Sequence, residues 1–319
     1  CSFNFNVFNN YPYYSFYSVK ILFLMNKYLI FRTDRIGDFL LTAILIKSIK
    51  RNESNSHITI VASKKNYNYV KSFDFIDKVI LLKDGFFEKI KLISNLYKDK
   101  YRAIIIHDQK KRSKFISFFL NAKIKVLIKN KSSSYFSEIK EILKLLNLDF
   151  IESDLNTLIN RDKYNKTIDK NYILFHFDEK WIHNEYINSY VNIEPINDEL
   201  QSFINSIINK SSKKLVITTG IKTPDTLNKI SSYKFNSKLI VLTSLEFIEI
   251  ENIVDNCELL ISCHGAISHV AAAKNIKQID IIEKGKLNLY KRWTAHFRSY
   301  NFIYRKNFND LSNDIINML

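Results

Sequence analysis

Short apolar runs recur from residue 25 onward and alternate with longer amphipathic stretches. The first series is 27–32 (KYLIFR), 57–62 (HITIVA), 78–82 (KVILL), 102–107 (RAIIIH) and 123–128 (KIKVLI). These runs place β-branched residues on consecutive positions, the pattern of strands buried on both faces of a parallel sheet. Between them, residues such as Phe136, Ile139, Ile142, Leu143 and Leu146 within 134–148 recur at helical spacing. Residues 151–171 are polar and mixed in charge, and the rhythm breaks there. A second series follows at 172–177, 214–219, 238–243, 258–263 and 278–283, with helices expected over 197–210, 245–256 and 309–319. Alternating strands and helices mean βαβ units, so the expected class is α/β with doubly wound sheets. The break divides the chain into two similar halves, 25–155 and 156–319, each of domain size.

Composition removes several alternatives. A chain that is 46% hydrophobic and 25% charged is not a disordered segment, and five Gly and three Pro in 319 residues exclude a collagen-like or low-complexity protein. The three cysteines, Cys1, Cys257 and Cys263, cannot build a disulfide framework and point to a reducing, cytoplasmic setting. No run of 18 apolar residues predicts a transmembrane segment. The net charge of +16 comes from lysines scattered along a sequence crowded with Lys, Asn, Ile, Phe and Tyr, the residues of AT-rich codons. A positive field favours phosphates, acidic glycans, anionic lipid surfaces or nucleic acid without choosing among them. Residues 1–24 are aromatic and Asn-rich, carry one cation and lack acids, so the natural start is expected at Met25, with 1–24 an upstream or disordered extension.

In open α/β sheets ligands bind beyond the carboxyl ends of the strands. The turn after the first strand holds Thr33, Asp34, Arg35, Gly37 and Asp38, with a helix beginning near Gly37. A glycine in so glycine-poor a chain marks a position without room for a Cβ, or a close approach to a ligand. Asp38 sits in the first helical turn at the mouth of the sheet, where ligands bind, or it only complements the helix dipole while Arg35 pairs with an acid. The turn after 258–263 runs His264-Gly265-Ala266 into an Ala-rich helix bearing His269. Its small residues and exposed N–H groups suit a phosphate. Cys263, His264 and His269 match no zinc spacing, and a core Cys with a capping His is the plainer alternative. Lys180, just past 172–177, either reaches a phosphate or pairs with Asp178 or Glu179 on the surface. Arg112, in the loop after 102–107, either grips an acidic substrate or belongs to a charged loop. No G-x-G-x-x-G follows any strand, which argues against a dinucleotide oxidoreductase.

The opening KYLIFRTDRIGDFLLT (27–42) and the later SCHGAISHVAAA (262–273) resemble, in this order, two motifs of glycosyltransferase family 9, the heptosyltransferase-like enzymes. The resemblance runs over most of 25–283 and is sharp at these two motifs. It implies a GT-B-like fold, two Rossmann-like domains facing across a cleft, with the acceptor on the first and a nucleotide-sugar on the second. It further implies inverting transfer without a metal, and no cofactor beyond the nucleotide-diphosphate sugar itself as donor substrate. By the same resemblance Asp38 is the general base. The donor contacts fall on Lys180, His264, Gly265, Ala266 and His269. Thr33, Asp34, Arg35, Gly37 and Arg112 meet the acceptor, with Arg32, Lys110 and Lys111 as further cations at the strand ends. That acceptor is an acidic glycan or lipopolysaccharide-type glycolipid at the inner membrane surface, which places the protein in the cytoplasm at the membrane periphery. Nucleic acid is not an expected partner. His264 stands where the family has an acid, changing charge and hydrogen bonding at the donor, and no ribose-binding acid stands near 220–222. A non-catalytic polyanion- or nucleotide-sugar-binding protein on the same fold is the alternative.

Overall fold

A computed structural model describes residues 25–127, 133–158, 171–183, 185–186, 189–231 and 237–319. The expected extension over 1–24 and most of the polar break over 151–171 lie outside the described residues.

The first sheet is built from β1 (Lys27–Phe31), β2 (His57–Ala62), β3 (Lys78–Leu81), β4 (Lys100–Ile106) and β5 (Asn121–Val126). Its order is β3-β2-β1-β4-β5, and every pairing is parallel. The connecting helices are α1 (Ile36–Asn52), α2 (Tyr67–Lys71), α3 (Phe86–Tyr97) and α4 (Lys111–Phe118), followed by α5 (Tyr135–Leu145). The second sheet holds β6 (Tyr172–His176), β7 (Leu215–Thr218), β8 (Leu239–Leu242), β9 (Cys257–Cys263), β10 (Lys277–Ile282) and β11 (Tyr300–Tyr304), in the parallel order β11-β10-β9-β6-β7-β8. Its helices are α6 (Asn197–Ser211), α7 (Asp225–Ser231), α8 (Phe247–Asn256), α9 (Ala266–Ala273), α10 (Leu287–Thr294) and α11 (Phe308–Met318).

All ten expected strands form, with ends shifted by a residue or two, and β11 is an addition. It reads YNFIY at a sheet edge, where Asn301 and Phe302 face outward, so it lacks the continuous apolar run that marks its neighbours. The expectation of burial on both faces holds for the central strands. It fails at β3, β5 and β8, which are edge strands with partly exposed side chains.

Alternate residues of β1 serve different cores. Leu29 and Phe31 join Leu92 and Leu96 of α3 and Ile116 under α4. Tyr28 and Ile30 face α1, whose Leu41, Leu45 and Ile49 belong to a core that continues through Ile267, Val270 and Ala271 of α9 into Leu174 and Val216 of the second sheet. The halves therefore share one apolar interior, the kind of interface that holds two units in a fixed relation. A buried polar tie reinforces it: the Tyr69 hydroxyl of α2 donates to Glu251 Oε2 of α8 at 2.6 Å. Tyr69→Phe removes that bond. Chemical denaturation is expected to register a loss of about 1–3 kcal/mol in unfolding free energy.

Candidate functional site

Parallel strands of both sheets deliver their carboxyl ends to one cleft of about 2070 Å³. Both sequence motifs line it. A Cβ built on Gly37 would lie 3.1 Å from the His269 ring and 3.5 Å from the Cα of Ala266, so the first loop of one half touches the first turn of α9 in the other. This is why position 37 is glycine: the room is denied by protein across the cleft.

The first turn is held from below by a buried polar lattice. Arg32 Nε donates to Thr42 Oγ1 at 2.6 Å, and Thr42 in turn meets His107 Nδ1 at 2.9 Å. Burial, aided by the Arg32 charge, pushes the His107 pKa well below its ordinary value. Thr33 donates to Asp108 Oδ2 at 2.5 Å, and Asp34 pairs with Arg32 and Lys110. On this base Asp38 occupies the first turn of α1, half-buried, with Oδ2 accepting the Arg35 N–H at 3.3 Å. It both caps the helix and lines the cleft. Among the described residues Arg35 pairs with no acid; its guanidinium donates to the Tyr186 hydroxyl at 2.9 Å, bridging the two halves.

Lys180 is not on the surface. It lines the cleft and pairs with Asp178, which also meets His176 Nε2 at 3.4 Å. Burial opposes charge on both partners. The Asp178–Lys180 attraction outweighs it, holding the carboxyl well below its ordinary range and raising the ammonium above its own, with His176 and Glu179 adding to the respective shifts. A Cβ on Gly265 would meet Lys180 Cε at 2.9 Å, so the small residue ahead of α9 makes space for this lysine. The α9 N-terminus beside it presents the first-turn N–H groups of Ala266 and Ile267, whereas Ser268 N–H donates to the Gly265 carbonyl at 3.1 Å and Gly265 N–H is taken by Ser268 Oγ at 3.2 Å.

His264 Nδ1 lies 2.5 Å from Asp280 Oδ2, and the ring stacks on Trp293. Asp280 is fully buried on β10 and also accepts from Ser268 at 2.8 Å and Tyr300 at 3.2 Å. An acid therefore lies one strand over from the position at which the sequence resemblance leads one to expect it. Cys263 is a core residue: burial pushes its thiol up to about 12, against the pull of Arg305, whose guanidinium approaches Sγ at 3.6 Å. His269 is buried against Gly37, and its Nδ1 has no hydrogen-bond partner among the described residues.

Of the residues expected from sequence, Thr33, Asp34, Arg35, Gly37, Asp38, Arg112, Lys180, His264, Gly265, Ala266 and His269 all line the cleft. Lys111 does not, and Arg32 is buried in the lattice beneath the turn. Asp178 and Glu179 enter the sequence reading only as partners for Lys180, whereas Tyr186, Asp280, Trp293 and Arg305 carry no motif. The isolated acid in the otherwise apolar run Ile279–Ile282 was the available signal for Asp280. The lining holds nine Lys or Arg against eight Asp or Glu, so the surplus positive charge of the chain lies elsewhere. Among the described residues no cluster of three His, Cys, Asp or Glu is arranged to hold a metal.

With this geometry in view, the chain is similar to solved GT-B structures. Escherichia coli heptosyltransferase WaaC with ADP superposes at a TM-score of 0.68 with 12% identity, over 92% of this chain and 100% of that one. E. coli ADP-heptose lps heptosyltransferase II gives 0.63 and 13% over 92% and 97%. UDP-GlcNAc 2-epimerase from Methanocaldococcus jannaschii gives 0.56 and 12%, over 92% of each chain. No family model and no curated protein matches the sequence. At such identities the likeness establishes the fold: GT-B-like, two Rossmann-like units across a cleft.

Two expectations concern the site's own stability. Asp280→Ala strands His264, Ser268 and Tyr300 in the interior; denaturant titration is expected to report a loss of at least about 2 kcal/mol. The second concerns pH. Burial, with Arg298 adding, lowers His296 to about 3, and burial with His264 and His296 lowers His269 well below its ordinary value. The unfolded chain, with histidines near 6.5, binds more protons than the fold, so their stabilisation is full above that value and is lost as pH falls. Thermal unfolding between pH 6.5 and 4 should show stability falling, by up to about 1.4 kcal/mol per pH unit per histidine. His296→Phe should flatten that slope.

Proposed function

We propose that this protein is an inverting, metal-independent glycosyltransferase that moves a sugar from a nucleotide-sugar to an acidic glycan or glycolipid acceptor presented at a membrane surface. One observation carries the reading: the Asp38 turn and the Lys180–Gly265 corner belong to different halves and meet over one cleft. Glycosyl transfer from a diphosphate has two demands on opposite sides of the anomeric carbon. A base must take the acceptor hydroxyl's proton, and positive charge must receive the departing diphosphate. Asp38 serves the first. Its Oδ2 is steadied by the Arg35 N–H, which leaves the other oxygen for the incoming hydroxyl. Lys180 and the N–H groups opening α9 serve the second, and His264, oriented by Asp280, flanks the sugar or its phosphates. Because base and anion site approach from opposed walls, attack is in line and the anomeric configuration inverts. The bound ADP of the heptosyltransferase WaaC structure supports a nucleoside diphosphate as the leaving group. Arg35 and Arg112 on the acceptor wall supply charge for an acidic acceptor.

A thermal-shift panel of nucleotides, nucleotide-sugars and short oligonucleotides identifies the donor class, and donor hydrolysis or transfer assays on the hits follow. Asp38→Asn is expected to lower transfer about 10²–10⁴-fold while nucleotide binding persists. Transfer at the native rate by that variant, or stabilisation by oligonucleotides alone, would overturn the assignment.

A further inference from the structure

Among the described residues one face of the first sheet is covered by two helices, α3 and α4, and their outward sides are aromatic. Leu92 and Leu96 of α3 and Ile116 and Leu120 at α4 pack inward on Leu29, Phe31, Ile104 and Ile106. Helical geometry then turns Phe87, Ile90 and Lys91 of α3, and Lys111, Lys114, Phe115 and Phe118 of α4, away from the sheet. Their exposure agrees: Phe87 is 84% and Phe118 76% accessible, with Phe86, Ile90, Phe115 and Phe119 also exposed. The rings cluster among themselves, Phe118 and Phe115 each lying 5.2 Å from Phe119. Such a concentration of large apolar side chains on a water-soluble face marks an interaction surface.

The charges choose the partner. Five of the six charged residues of α3 and α4 are cationic, Lys89, Lys91, Lys111, Arg112 and Lys114 against Glu88. Phenylalanines interleaved with lysines on helices lying flat is the composition of an interfacial anchor, rings in the acyl boundary and ammonium groups among anionic headgroups. The cleft itself is close to charge-balanced, so it does not account for the surplus. The face adjoins the cleft: Asp84, just before α3, and Arg112, in the first turn of α4, line the cleft.

We propose that the α3–α4 face is a membrane-docking surface for an anionic bilayer, which sets the first-half wall of the cleft at the lipid–water boundary. The consequence for a lipid-linked acceptor rests on the transfer reading; the lipid contact itself does not.

The test uses the full chain with vesicles of phosphatidylcholine, with and without phosphatidylglycerol. Sedimentation is expected with the anionic vesicles, weakening as salt is raised. The double variant F87S with F118S is expected to bind at least about tenfold less, with an unchanged melting temperature because both rings are exposed. A separate F118W variant should shift its emission to the blue when anionic vesicles are added. Native-like vesicle binding by the double variant, or F118W emission indifferent to lipid, overturns the proposal. Emission already blue-shifted without lipid and reversed by dilution assigns the face to a second copy of the chain; if dilution has no effect, another part of the same chain covers it. Nucleotide binding by the native chain, read by thermal shift, separates the two readings: no vesicle binding by the native chain with nucleotide binding present refutes the docking surface alone, and vesicle binding without nucleotide binding refutes the transfer reading alone.

Discussion

The distance between the two sheets is set by how closely α1 and α9 can pack. Both helices leave the carboxyl ends of central strands, and both begin with small residues at the contact, Gly37 on one side and Ala266 on the other. A side chain at position 37 would push against the His269 ring and open the junction. With none there, the apolar interior runs unbroken from β1 to β7, and the first turns of the two helices are forced to the cleft floor. The base candidate and the anion corner sit where they do because they are the residues that flank this contact.

Around that junction the polar groups fall into two kinds. Arg32, Thr42, His107 and Asp108 are consumed by bonds inside the protein and hold the first loop in shape. Asp38, Lys180 and His264 each spend one bond on the protein and keep another face toward the cleft. The distinction matters for reading mutations. Changes in the first set act through the position of the loop, whereas changes in the second set act on whatever the cleft holds.

Much of this was legible in the sequence. Consecutive β-branched residues gave away ten strands because central parallel strands must be apolar on both faces, and the scarcity of glycine made Gly37 and Gly265 conspicuous. What escaped was long-range. β11 carries Asn301 and exposed Phe302 because an edge needs only one covered side. Asp280 and Arg305 act through neighbours on adjacent strands and in a distant loop, and sequence order does not reveal which strands become adjacent. The burial of Arg32 is hidden for the same reason, since its partner Thr42 becomes visible only when the helix folds back over the strand.

The pairing of Lys180 with Asp178 has a kinetic meaning. An anion arriving at this corner meets a cation that already has a companion, and must share or displace it. Part of the attraction is thus cancelled in advance, which shortens the residence of any anion held there. A lone lysine in the same place would grip harder and let go more slowly. The built-in counter-ion is a setting for exit as much as for capture.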